Sequence, residues 1–400
     1  MKHHFTTCFI LLLILTVPNR SLFSEKDEYL SLNEKAIALC QQGKYQEAIP
    51  ISKRVLSIAE KKFGLDHPDT ATSLNNLAVL YNDQGRYAEA EPLYKRALKI
   101  REKALGPDHP DTVTSLNNLA NLYKSQGRYA EAEPLFKRSL NINENALGPD
   151  HPDTATSLDN LAALYHDQGK YDKAEPLYKR ALKIREKALG PDHPSIAGSL
   201  NNLAELYRKQ GKYANAEPLY KRALDIYENA LGPDHPDTGR LLENLALIYY
   251  NTGRCDDAEP LFKRALKIKE KALGPDHFDI ATSLNNLALL YHSQDMYSKA
   301  EPLYKRALKI YEKALGSNHP YVASSLSNLA ALYYNQGKYT EAEPLLKRAL
   351  KIYEKALGPD HPNVATFLEN MSFLYKKLNR NAEAEQCLKR AQEIRSKQKK

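Results

Sequence analysis

Eight histidines, His67, His109, His151, His193, His235, His277, His319 and His361, stand 42 residues apart in a chain of 400, and aspartates such as Asp66, Asp108 and Asp150 precede them. Imidazole and carboxylate together are zinc ligands, and they are also the usual partners in acid–base chemistry. The spacing argues against both. Equivalent slots on successive units are kept apart by packed helices whose axes lie about 8–10 Å from one another, whereas metal ligands converge to about 2 Å from one ion and a nucleophile must come within about 3 Å of its base. The histidines are therefore expected to anchor their own loops through hydrogen bonds. No metal or other cofactor is expected, and no glycine-rich phosphate loop, serine elbow or HExxH motif is present to suggest catalysis by another route. The chain reads as a protein that is not an enzyme.

The elements carrying those loops follow from the repeat itself. In the stretch Ala71 to Thr112, the residues Leu74, Leu77, Ala78 and Tyr81 fall at i, i+3, i+4 and i+7, one stripe of an α-helix. Gly85 stops that helix, and Tyr87, Ala90, Leu93, Tyr94, Ala97, Ile100, Ala104 and Leu105 give a second stripe ended by Gly106-Pro107. Pro110 and Asp111 open the next copy, since proline suits the first helical position and aspartate the positive end of the helix dipole. Each helix is expected to run about 17 residues, roughly 25 Å. Neither buries its stripe alone, so copies must stack. Proline recurs inside the second helix as Pro50, Pro92, Pro134, Pro176, Pro218, Pro260, Pro302 and Pro344; it reads as a helix-start device lying near the first turn.

The spacing of Leu77-Ala78, Tyr81, Gly85, Tyr87, Ala90, Tyr94 and Ala97 resembles the tetratricopeptide repeat. The 42-residue period and the phrases NNLA, QGRY, AEPLYKRAL and LGPDHPDT look like the repeats of the kinesin light chain and related bacterial arrays, over Tyr29 to about Arg395. The resemblance implies an all-α fold, a right-handed superhelical solenoid of antiparallel helix pairs whose first helices line a concave groove. It implies no motor, and nothing here resembles the coiled coil that joins a kinesin light chain to its heavy chain. Nine repeats are expected in a single elongated domain spanning 25–400: 29–70, 71–112, 113–154, 155–196, 197–238, 239–280, 281–322, 323–364 and 365–400. The first and last are degenerate, as terminal units facing water should be.

Residues 1 to 24 fall outside that domain. Lys2 precedes an apolar run from Phe5 to Val17, too short to span a bilayer and suited to the core of a secretory signal, with cleavage near Ser24. The expected location is therefore exported, periplasmic or secreted, if the signal is used and cytoplasmic otherwise; an uncleaved segment would be the only tie to a membrane. Cys40, Cys255 and Cys387 sit in different helix slots of distant repeats, so no disulfide is expected. The formal charge of +8 is diluted. Lys95, Arg96 and Lys99 lie among Glu89, Glu91 and Glu102 away from the apolar stripe, a solvated face rather than a nucleic-acid surface, and no small-molecule substrate is indicated.

The groove is where a partner should bind. Asn75-Asn76 recurs as Asn117-Asn118, Asn201-Asn202 and Asn285-Asn286, and the second member stands alone as Asn160, Asn244, Asn328 and Asn370. An amide donates and accepts, so a row of amides complements a peptide backbone with little regard to its sequence. The kinesin light chain resemblance implies that equivalent asparagines face bound peptide. The first member is expected to touch ligand, while the second is balanced between ligand and packing. One turn further along, the copies stop repeating. Asn121, Lys124, His166, Arg208 and Lys209 belong to these variable slots, where selectivity for one partner can be written. Lys124, Arg208 and Lys209 suggest an acidic or mixed segment. The expected function is a non-catalytic scaffold gripping extended peptide segments of a protein partner; the alternative is a structural element forming homo-oligomers or docking on an envelope complex.

Overall fold

The computed structural model describes residues 20–397, with side chains from residue 28. Among them are eighteen α-helices and no strand. The first pair is α1 (Arg20–Gln41) and α2 (Tyr45–Phe63), followed by α3 (Pro68–Asp83) with α4 (Tyr87–Leu105), α5 (Thr112–Ser125) with α6 (Tyr129–Leu147), and α7 (Pro152–Asp167) with α8 (Tyr171–Leu189). Then come α9 (Pro194–Lys209) with α10 (Tyr213–Ala230), α11 (Pro236–Asn251) with α12 (Cys255–Leu273), and α13 (Phe278–Ser293) with α14 (Tyr297–Leu315). The last pairs are α15 (Pro320–Asn335) with α16 (Tyr339–Leu357) and α17 (Pro362–Lys377) with α18 (Asn381–Lys397). The expected secretory segment falls mostly on residues 1–19, outside those described. Among the described residues no helix is long and apolar enough to cross a membrane, and Cys40, Cys255 and Cys387 form no disulfide with one another.

Each first helix is buried on the stripe expected of it: Leu74 and Ala78 are fully buried, Leu77 and Tyr81 nearly so. The second stripe is shorter than expected. Ala90, Tyr94, Ala97 and Ile100 are buried, but Ala104 is exposed, because a 19-residue helix overhangs its 16-residue partner by almost one turn. Pro92 is the sixth residue of α4, one turn deeper than the helix start expected of it. Outside the apolar core, the basic residues of the second helices staple neighbours. Arg96 reaches Glu60 at 2.6 Å, Arg138 reaches Glu102 at 2.6 Å and Arg222 reaches Glu186 at 2.8 Å, one repeat back in each case. Tyrosines of the first helices bind glutamates of the preceding second helices in the same manner, as with Tyr165 Oη donating to Glu133 at 3.0 Å.

The loop histidines cap helices. In every copy Nδ1 accepts the backbone N–H two residues on, at 3.1 to 3.3 Å, the role usually taken by Ser, Asp or Asn. An accepting Nδ1 places the ring proton on Nε2, a tautomer that leaves no lone pair on the second nitrogen for a metal.

The solenoid winds tightly enough to touch itself. The turns at Gly43, Gly85 and Gly127, within the first three pairs, meet the loops at His277, His319 and His361, each more than half the chain further along. One superhelical turn thus takes between five and six repeats. At this seam His277 Nε2 lies 3.1 Å from the Gln41 carbonyl, and Tyr45 packs on Phe278 with ring centroids 5.8 Å apart. A Cβ placed on Gly85 would stand 2.9 Å from Pro320 Cδ, and with φ of +69° this turn needs glycine for both reasons. His277 and His319 are each 5% exposed in consequence. Two of the loops that meet the turns carry aromatic departures from the GPDHPDT phrase: Phe278 replaces proline, and Tyr321 replaces aspartate beside Ser317-Asn318 in place of Pro-Asp.

Candidate binding groove

Inside the superhelix, the first helices of the fourth to eighth pairs enclose a cavity of about 450 Å³. Asn160, Asn202, Asn244, Asn286 and Asn328, one per repeat, line it as a ladder, joined by Asn201, Asn285 and Arg208. The ladder exists because the fixed repeat interval brings each copy back to the same helical face. The other six candidates lie elsewhere. Asn75 is 4% exposed and donates from Nδ2 to Ser115 Oγ at 3.0 Å, so this first-member amide packs against the next repeat instead of facing a ligand. Asn117 and Asn121 are half-buried in the third pair, outside the cavity. Lys124 is buried, its Nζ 3.9 Å from Asp167 and 5.9 Å above the Phe136 ring; His166 is buried with Nδ1 3.4 Å from the same carboxylate. Lys209 is exposed and outside the cavity lining. For Asn75, Lys124 and His166 the cause is rotational: slots a single residue apart on a helix differ by about 100°, enough to turn a side chain from groove to core.

The first-member slot is chiefly a packing position. Asn201 accepts from Asn244 Nδ2 at 2.6 Å across the repeat boundary. Where the slot holds an acid, the second helix supplies a base 26 residues later. Asp159 binds Arg185, Glu243 binds Lys269 Nζ at 2.7 Å, and Glu369 binds Arg395 Nε at 2.7 Å. Where it holds Asn or Ser, the later position is Tyr227, Tyr311, Tyr353, Asn143 or Arg101, and Ala59 in the degenerate first repeat. Arg101 departs from the rule and donates to the Asp111 carbonyl at 2.7 Å and Thr72 Oγ1 at 3.1 Å. This pairing was present in the sequence as matched variation between two slots; only the fold shows that the slots touch. Burial pushes the Asp159 carboxyl above its usual range although Arg185 opposes the shift.

Two further carboxylates of the cavity wall are neutralised from within the chain. Both Oε atoms of Glu205 accept from Arg208 at 2.6 Å, and Asp237 accepts from Arg240 at 3.0 Å. Tyr311 and Tyr321 stack with centroids 5.6 Å apart on the side of the cavity that adjoins the seam.

A helical-repeat solenoid with an amide-lined inner face is the class these features define. The tetratricopeptide repeat family model matches residues 27–103, 74–145, 116–187, 239–313 and 321–397, and the model of the nephrocystin-3 TPR domain matches 178–272. The chain belongs to the tetratricopeptide repeat family, whose members generally serve as protein–protein interaction scaffolds. Among solved structures it is similar to BtubC (BKLC) from P. vanneervenii, at 25% identity over 57% of this chain and 89% of that one, with a TM-score of 0.45. It is also similar to the nearly identical TPR-like repeats of a Podosopora anserina protein described as a kinesin light chain, at 29% identity over 52% and 98%, with a TM-score of 0.43. A Rap protein complexed with competence and sporulation factor matches over 93% of this chain and 98% of that one at 15% identity, with a TM-score of 0.54, a likeness of fold. No curated protein matches.

Proposed function

We propose that this chain is a non-catalytic scaffold that holds an extended polypeptide segment of a partner along the inner face of its fourth to eighth repeats. The observation carrying this reading is the ladder Asn160, Asn202, Asn244, Asn286 and Asn328 along one cavity wall. Amides at a constant interval satisfy the donors and acceptors of an extended backbone, which no regular element of the partner would then need to pair. An acidic segment has less support than the sequence suggested, because Arg208 is held by Glu205 and Lys124 faces Asp167.

The test is selection of a randomised, displayed dodecapeptide library on the immobilised protein, repeated with the double variant Asn202→Leu/Asn286→Leu. Enrichment on the natural chain that disappears on the variant supports the reading. Equal enrichment on both proteins, or none on either, refutes it.

A further inference from the structure

Five carboxylates line the cavity, and four of them carry a cationic partner: Asp159 with Arg185, Glu205 with Arg208, Asp237 with Arg240, and Glu243 with Lys269. The fifth is Asp279, which is 7% exposed and whose basic neighbour is His277, with Nδ1 at 3.7 Å. That nitrogen is no counter-charge. It accepts the Asp279 backbone N–H at 3.3 Å, and the ring proton sits on Nε2, directed at the Gln41 carbonyl 3.1 Å away. Burial reinforces the neutral state by holding the His277 pKa down. At the equivalent slots, the side chains of Asp69, Asp111 and Asp153 are 55%, 71% and 68% exposed and solvated by water. At Asp279 the seam has removed that water, by laying Gln41 and Tyr45 over the loop.

Asp279 is the second residue of α13 and has that helix's positive end behind it, but among the described residues no side-chain cation shares its burial, and it is retained at the edge of the cavity. Beside it stand the stacked rings of Tyr311 and Tyr321, together with Thr282 and Asn285. A carboxylate beside a neutral amide is the complement of a guanidinium or ammonium group. Resting on the peptide-scaffold reading above, we infer that the bound segment is basic at one position, and that an arginine or lysine side chain places its cationic head against the Asp279 carboxylate. The ladder then fixes the backbone and Asp279 fixes the register.

The dodecapeptide selection reads this directly. Sequences whose enrichment depends on Asn202 and Asn286 are expected to share one arginine or lysine. Groove-dependent sequences that are neutral or acidic overturn the inference and leave the scaffold reading standing; the absence of groove-dependent sequences overturns both. A second measurement takes one selected peptide and its counterpart with citrulline, or with norleucine for lysine. The uncharged form is expected to bind roughly tenfold or more weakly to the natural chain. Asp279→Asn is expected to abolish that difference, and Asp111→Asn to leave it intact. Equal affinity of the two peptides for the natural chain overturns the inference whatever the variants do.

Discussion

Changing Arg185 to methionine tests whether the paired slots of the repeat act through charge at a strength set by burial. The Arg185 and Asp159 side chains are 10% and 12% exposed, whereas Arg395 and Glu369, in the same two slots of the last repeat, are 48% and 32% exposed. Methionine fills the volume of the arginine stem and strands Asp159, a carboxyl that burial already disfavours in its ionised form. The stranded group escapes by taking a proton. From an ordinary carboxyl pKa of about 3.9, at about 1.4 kcal/mol per unit, protonation costs about 4 kcal/mol at pH 7 and about 1.5 kcal/mol at pH 5. The sign follows from the variant's folded state holding a proton that its unfolded state releases above about pH 4, so its deficit shrinks as pH falls from 7 towards 4. Arg395→Met is expected to cost under about 1 kcal/mol. Urea unfolding followed by circular dichroism at both pH values, with hydrogen exchange over α7 to α9 to localise the effect, measures these quantities. Adding Asp159→Leu to Arg185→Met is expected to recover most of the loss. A loss at pH 7 no larger than that of Arg395→Met, or one unchanged at pH 5, refutes the reasoning.

The seam is expected to respond to Gly85→Ala more than to Gly211→Ala. Both glycines have φ near +70° and the left-handed conformation costs each variant about 1–2 kcal/mol, but only at Gly85 does the new methyl meet another turn of the superhelix; small-angle scattering should show a longer particle for the first variant alone. Asp83, at the seam near Tyr45, Tyr87 and Tyr321, has its pKa pushed up to about 7 by burial, with Asn82 opposing the shift. A raised folded pKa means that stability is lost as pH climbs from about 4 through 7, so hydrogen exchange at the end of α3 and the start of α15 should be slower at pH 5.5 than at pH 8 after correction for intrinsic rates, a contrast that Asp83→Asn should flatten. His151→Ala removes a helix cap and should cost about 1 kcal/mol, whereas His151→Asn should be nearly neutral because asparagine caps as well; equal thermal midpoints for the two variants would count against the capping role.

Much of this protein is legible from residue order because each repeat is specified locally. A stripe at 3.6-residue spacing requires a helix, a glycine at positive φ ends it, and a fixed interval returns each copy to the same neighbour. The family, the helix pairs and the loop role of the histidines all follow from such short-range rules. The inward-facing ladder was half legible. Asn160, Asn202, Asn244, Asn286 and Asn328 share a slot that can be read off the sequence, but whether that slot or the adjacent one at Asn75 faces the groove turns on about 100° of helix rotation, which amphipathicity fixes only loosely.

The charges show where sequence stops. Lys124 and Arg208 read as free positive groups because their carboxylates lie on another repeat or another helical turn, and distance along the chain does not rank those contacts. Residue order determined a stacked array of helix pairs, since every contact needed for that lies within one or two units. Tertiary structure alone decided the winding, because small rotations per repeat add up over the array until Gly43, Gly85 and Gly127 meet loops more than half the chain away. That closure buries Asp279 beside the amide ladder with a neutral histidine as its basic neighbour.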